Sequence, residues 1–259
     1  MIIQRARPDM LLINEFDFDA DGAAARLFQD NYLSVGQGGA RPTTYRYRFT
    51  APSNTGIASG FDLNNNGDVV TTPGAAGYGD DAFGFRAFPG QFGMVVYARH
   101  PIDVRGVRTF QKFRWKDMPG AALPGDPATP APGVAFVIAG DQNADPDDGD
   151  SYQGAIHQLL DHPRIDSRRA PSSPGAVEAA ATQGGANSGH TGDPKYDTAD
   201  FADTAPGNLR ADYVLPSERL RTAGGGVFWP VSADPLSRLT GVFPFPSSDH
   251  RLVWLDTRP

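Results

Sequence analysis

The chain has 259 residues, no cysteine and a net charge of −7, with 39% hydrophobic and 20% charged residues. That supports one large domain or two small ones and excludes a disordered chain; the missing thiols exclude disulfides, thiolate metal sites and a cysteine nucleophile, and leave the compartment open. The acidic balance, with no Lys/Arg block, excludes a broad electrostatic nucleic-acid footprint, and no apolar run approaches the ~18 residues of a membrane span.

The opening residues MIIQRARPD read as the tail of a helix entering a strand, with no signal-peptide pattern. MLLI at 10–13 is a short buried strand ending on Asn14-Glu15. Asp21 is placed to cap a helix in which Ala24, Leu27, Phe28 and Tyr32 share a face, closing near Gly36. Residues 44–49 alternate with the period of a half-buried strand. Residues 54–90 form a long Gly/Asn/Asp loop, 93–97 a buried strand, 99–103 a turn, and 104–113 the returning strand of a hairpin. A Pro/Ala/Gly connector at 119–132 leads into VAFVIAGDQNADPDDGD at 134–150. The apolar run 134–139 predicts a strand buried on both faces. It stops on Asp141 and Asn143, where a ligand-binding sheet edge and an ordinary acidic turn are competing readings.

Asp150 or Ser151 starts a helix with Ala155/Leu159 and Ile156/Leu160 as its i,i+4 pairs and Pro163 beyond its end. Residues 166–208, rich in Ala, Gly, Ser and Pro, read as a surface excursion that is only partly ordered. A strand over 209–215 carries Asp212, an apolar piece follows at 227–229, and SSDH at 247–250 precedes the last strand at 252–255. No internal repeat is present.

Four strands thus carry polar groups at one end: Glu15, Asp141 with Asn143, Asp212, and Asp249 with His250. If the first two strands run antiparallel to the last two, all six groups meet at one edge. Two carboxylates ~4 Å apart repel by roughly 4 kcal/mol at an effective dielectric of 20, so such a cluster holds protons or a cation. Oxygen ligands with one imidazole and no thiolate favour Mg²⁺, Mn²⁺ or Ca²⁺ over zinc, and that equipment suits hydrolysis of a phosphate ester. Asp62, Asn64, Asn66 and Asp68, with Gly67, also match the first half of a calcium loop that Asp80 or Asp81 could close; a plain Asn-Gly turn is the alternative. Trp115, Trp229 and Trp254 read as core or rim, and Arg46, Arg48, Arg108 and Arg114 as a solvated face.

The segments RPDMLLINEFDFD, FGMVVYARHPI, FVIAGDQNADP, LRADYVLPS and SSDHRLVWLD occur in an order that resembles the endonuclease/exonuclease/phosphatase superfamily, whose members include deoxyribonuclease I, and most closely its bacterial secreted or cell-surface branch. The resemblance implies a two-sheet α/β sandwich flanked by helices and a divalent-metal-dependent phosphoesterase acting on a phosphate-ester substrate or nucleic acid outside the cell. It implies Glu15 as a metal ligand and Asp141 as the group that orients or deprotonates water. Asn143 would bind a phosphate oxygen, Asp212 would orient a histidine or assist the leaving group, Asp249 would support the metal or His250, and His250 would transfer a proton at the phosphate. The chain departs from the family in lacking its first strand and, where the connector 119–132 stands, a strand bearing a second catalytic histidine. A catalytically inactive member that keeps a calcium loop is the alternative expectation.

Overall fold

A computed structural model of the chain describes residues 1–109, 111, 134–152 and 154–258. These form a mixed α/β structure of antiparallel sheets and few helices, the class expected from the sequence. The chain divides into two compact units, one of Met1 and Ile3–Pro127, the other of Ile2 and Ala128–Pro259. Among the described residues no helix is long and apolar enough to cross a membrane.

The first unit holds α1 (Ile2–Ala6), β1 (Met10–Asn14), α2 (Ala23–Phe28), β2 (Tyr47–Thr50) and β3 (Met94–Ala98). The apolar run of β3 lies between β1 and β2 and pairs antiparallel with both, so Val95 and Tyr97 are fully buried. They pack with Leu11, Ala25, Leu33 and Tyr45. Among the described residues β1 is an edge strand, and it is less buried than its sequence suggests, with Met10 68% exposed. Asp19, not Asp21, caps α2: its two carboxylate oxygens accept the N–H groups of Ala23 and Ala24 at 2.7 and 2.9 Å. The expected helix face also changes, since Leu27 and Tyr32 are exposed. A π turn over Gln29–Leu33 shifts the phase and turns Gln29 and Leu33 inward. Residues 104–106 form a turn and 107–109 no regular element, in place of the returning hairpin strand; 110 and 112–113 lie outside the described residues, as do Arg114, Trp115 and the connector 119–132.

The second unit holds β4 (Val137–Asp141), α3 (His157–Leu160), α4 (Pro174–Gln183), β5 (Ala199–Asp200), β6 (Asn208–Leu209), β7 (Asp212–Pro216), β8 (Arg221–Val227) and β9 (Val253–Arg258). They pair antiparallel as β4 with β7, β5 with β6, and β8 with β9. Contrary to expectation, the run 134–139 is not buried on both faces: Val134 is 50% exposed. Among the described residues β4 has one strand partner, and only its Ile138 side packs on the core of Ala144, Ile156, Tyr213 and Leu215. A continuous apolar run does not distinguish this from a sheet covered on both faces. The pairs Ala155/Leu159 and Ile156/Leu160 do pack into that core.

Residues 166–208 are folded, which corrects the expected excursion. Ser173 caps α4 by accepting the Gly175 N–H at 2.9 Å and donates to the Trp229 carbonyl at 2.5 Å, with Pro174 at the first helical position. Ala176 then packs on Val227 and the buried Trp229. Small residues allow this close approach, and their low hydrophobicity is what made the segment read as loop.

Candidate active site

In the β4–β7 register Asp141 lies opposite Asp212, the last residue of one strand facing the first of the next. The turn before β9 adds His250, whose main chain bridges to Ala199. Asp141, Asp212 and His250 offer oxygen or nitrogen atoms that all lie within 4.8 Å of one another, and all three residues are half-buried.

His250 Nδ1 is 2.8 Å from Asp212 Oδ2. The Thr198 hydroxyl donates to the same oxygen at 2.9 Å and accepts the N–H groups of Ala211 and Asp212 at 3.0 and 2.9 Å. Burial draws the imidazole down. The hydrogen bond to Asp212 and the charges of Asp212, Asp141 and Asp249 outweigh it and push the ring up to about 9. Without a metal these neighbours favour the protonated ring, with its Nδ1 directed at Asp212. Among the described residues its Nε2 has no hydrogen-bond partner.

Asn143 holds Asp141 from the side: its N–H reaches Oδ1 at 2.8 Å and its amide reaches Oδ2 at 3.1 Å. The two bonds keep Asn143 in the left-handed region, φ 45°, a conformation that costs a non-glycine residue roughly 1–2 kcal/mol. Asp249 presents its main-chain carbonyl to the Asp200 N–H at 2.8 Å, and its carboxylate lies 3.4 Å from the Ser248 hydroxyl. Glu15 belongs to the first unit. It too is left-handed, φ 55°, and its exposed carboxylate lies 3.8 Å from Arg86. Of the other histidines, His157 pairs with Asp161 at 3.2 Å, His162 accepts the Arg164 N–H at 3.2 Å, and His190 Nε2 lies 2.8 Å from the Pro206 carbonyl oxygen.

Sequence reading missed the residues that hold His250 in place. Arg251, next to it, pairs with Asp200 at 2.6 Å and donates to the Ser248 carbonyl, with its guanidinium over the rings of Trp229 and Phe245 at 4.4 and 5.0 Å. The Gln183 amide donates to Asp200 at 2.7 Å and accepts from Asn208 at 2.7 Å. Thr198, Asp200, Gln183 and Asn208 all come from the segment taken for an excursion. An Arg directly after His250 was the one visible signal.

In the loop with calcium-like spacing the side-chain oxygens serve their own main chain. Asp62 accepts the N–H groups of Asn66 and Gly67 at 3.1 and 2.8 Å, Asn64 that of Asn66 at 3.1 Å, and Asn66 that of Asp68 at 2.8 Å. The buried Asp81 accepts those of Leu63 and Val70 at 2.9 and 2.8 Å. These are Asx turns gathered around one carboxylate.

The model of the Endonuclease/Exonuclease/phosphatase family matches residues 1–250. The chain belongs to this family. A solved structure described as an endonuclease/exonuclease/phosphatase from Beutenbergia cavernae DSM 12333 is similar at 18% identity and a TM-score of 0.48, over 99% of this chain. The chain spans 64% of the length of that neighbour. No curated protein matches it. The family is one of hydrolases acting on phosphate esters or nucleic acid, and the grouped Asp141, Asp212 and His250 are a candidate metal-holding set for such chemistry.

Proposed function

We propose that this chain is a divalent-metal-dependent phosphoesterase that hydrolyses a phosphomonoester, a phosphodiester or a nucleic-acid backbone through attack by water. The observation that carries the reading is the meeting of two carboxylates and an imidazole within 4.8 Å in a member of this family. That donor set, oxygen-rich and without thiolate, fits Mg²⁺ or Mn²⁺. Asp141 and Asp212 would hold the ion, with Asp249 as a further ligand by resemblance. Bound there, it would polarise the phosphoryl oxygen.

The protein's own groups divide the remaining work. Asp141, fixed by two bonds from Asn143, orients a water molecule and takes its proton. Asp212 fixes the His250 ring through Nδ1, which leaves Nε2–H of the imidazolium to donate to a phosphate or leaving-group oxygen. Asn143 sits beside Asp141, where its amide can turn to a non-bridging oxygen.

The test is hydrolysis of para-nitrophenyl phosphate, its bis ester and plasmid DNA with Mg²⁺ or Mn²⁺. Turnover is expected, and Asp141→Ala and His250→Ala are each expected to abolish it. Activity that survives both substitutions would remove the assignment. A catalytically inactive member that keeps calcium through Asp62, Asn64, Asn66 and Asp68 would instead show no turnover and a Tm that rises with Ca²⁺. By the same resemblance we place the protein outside the cell or at its surface, which fractionation of the native host checks.

A further inference from the structure

A cleft of about 240 Å³ opens beside the acid–imidazole group. Asn143, bonded to Asp141, lines it, as does Phe201, whose ring makes a T-shaped contact with that of His250, centroids 5.3 Å apart. The cleft therefore begins where the reacting groups end. Phe201, Pro206, Leu209 and Ala211 supply the apolar part of its lining. Its volume lies below the roughly 300–1,000 Å³ of sites for larger ligands and suits a single ring.

Among the described residues the charged groups lining the cleft are Asp145 and Asp150. Asp145 cannot swing aside, because its oxygens accept the N–H groups of Asp147, Asp148 and Arg210 at 2.8, 2.8 and 2.7 Å. Arg210 offers no compensation: its guanidinium is buried over the Tyr213 ring at 4.5 Å and does not line the cleft. A polynucleotide lying through this cleft would bring a second phosphate against the held carboxylate of Asp145 and the exposed one of Asp150, whereas nucleic-acid grooves gain affinity by meeting phosphates with Lys and Arg.

We infer that the cleft is a specificity subsite for an uncharged ring-bearing ester group, so that the substrate is a small phosphoester of such a group and not a polynucleotide, with Phe201 as the ring's contact. This rests on the phosphoesterase reading above. The experiment compares bis(para-nitrophenyl) phosphate with methyl para-nitrophenyl phosphate, which share a leaving group and differ only in the second ester group, and adds a short single-stranded DNA. The wild-type chain is expected to favour the ring-bearing diester by about tenfold in kcat/KM, and to cleave DNA more slowly still. Phe201→Ala is expected to bring the ratio of the two diesters toward one, chiefly through KM of the ring-bearing diester. A wild-type ratio near one, an equal loss for both diesters in Phe201→Ala, or faster cleavage of DNA would overturn the subsite while leaving the hydrolase reading intact. Binding of phenylphosphonate and methylphosphonate to the Mn²⁺-loaded protein separates the two ideas. Tighter phenylphosphonate binding that Phe201→Ala removes supports the subsite even without turnover, a case in which the hydrolase reading alone fails. Equal binding of the two phosphonates, or none, overturns the subsite.

Discussion

Replacing Arg251 by Met tests how the turn carrying His250 is held. The Arg251 and Asp200 side chains are 0% and 3% exposed, and their ion pair spans 2.6 Å. Burial is the largest influence on both groups. It pushes the Asp200 carboxyl up, against the bonds from Gln183 and Arg251, and it pulls the Arg251 guanidinium down against the charge of Asp200. The pair therefore gains little net electrostatic energy over solvated ions, and its importance is that neither member tolerates losing the other. Arg251→Met leaves a buried carboxylate with the Gln183 amide as its remaining side-chain donor and leaves the Ser248 carbonyl without the guanidinium. Breaking one side of such a pair costs about 3–5 kcal/mol, a large part of the roughly 5–15 kcal/mol that holds a typical protein folded. Met retains most of the packing between Trp229 and Phe245, so Arg251→Met with Asp200→Leu should recover part of the loss. The assay is urea unfolding of the wild type, both single variants and the double variant, comparing midpoints at constant m-value. Coupling of at least about 2 kcal/mol is expected, within the range for residues in contact. A loss below about 1 kcal/mol for Arg251→Met, or a double variant as unstable as the sum of the singles, would refute the reasoning.

In protein freed of metal, NMR should find the His250 ring titrating near pH 9, and Asp212→Asn should bring it down toward the ordinary 6.5. Because the folded value lies above the unfolded one, the stabilisation is fully present below about pH 6.5 and is lost as pH rises through about 9; a midpoint near 6.5 in the unsubstituted protein would contradict the geometry. Burial, reinforced by Asp145, Asp148 and Asp193, pushes Asp197 up to about 8, so the cost of its carboxylate sets in as pH rises toward that value. Asp197→Asn should then raise the urea midpoint at about pH 9 and change it little at about pH 4, and the opposite order would exclude a strained carboxyl. A Cβ on Gly175 would overlap the Trp229 carbonyl, so Gly175→Ala should destabilise by about 1–3 kcal/mol, as overpacking does, which thermal unfolding reads directly.

The groups that carry the proposed chemistry were visible in the sequence because each stands at the end of a short, strongly patterned run. Asp141 follows VAFVIAG, Asp212 opens DYVLP, and His250 closes SSDH before the last strand. Antiparallel pairing of two such strands places their terminal carboxylates opposite each other, as β4 and β7 do. Less legible was everything that depends on a partner distant in the chain. The phase of α2 changed because a π turn followed it, and the burial of β4 was overestimated because an apolar run does not report how many strands flank it.

By itself, then, the sequence determined the mixed α/β class and pointed to the residues of the candidate site, since both follow from local periodicity and from residue chemistry. Only the tertiary structure decided that segment 166–208 supports the site. Its contributions are Thr198 on Asp212, Asp200 on Arg251, the Gln183–Asn208 pair behind them, and Phe201 beside the cleft. The physical reason is that small and polar residues have no periodic apolar signature. Their value lies in close backbone approach and in hydrogen bonds to residues 14 to 51 positions away, which exist only once the chain has closed on itself.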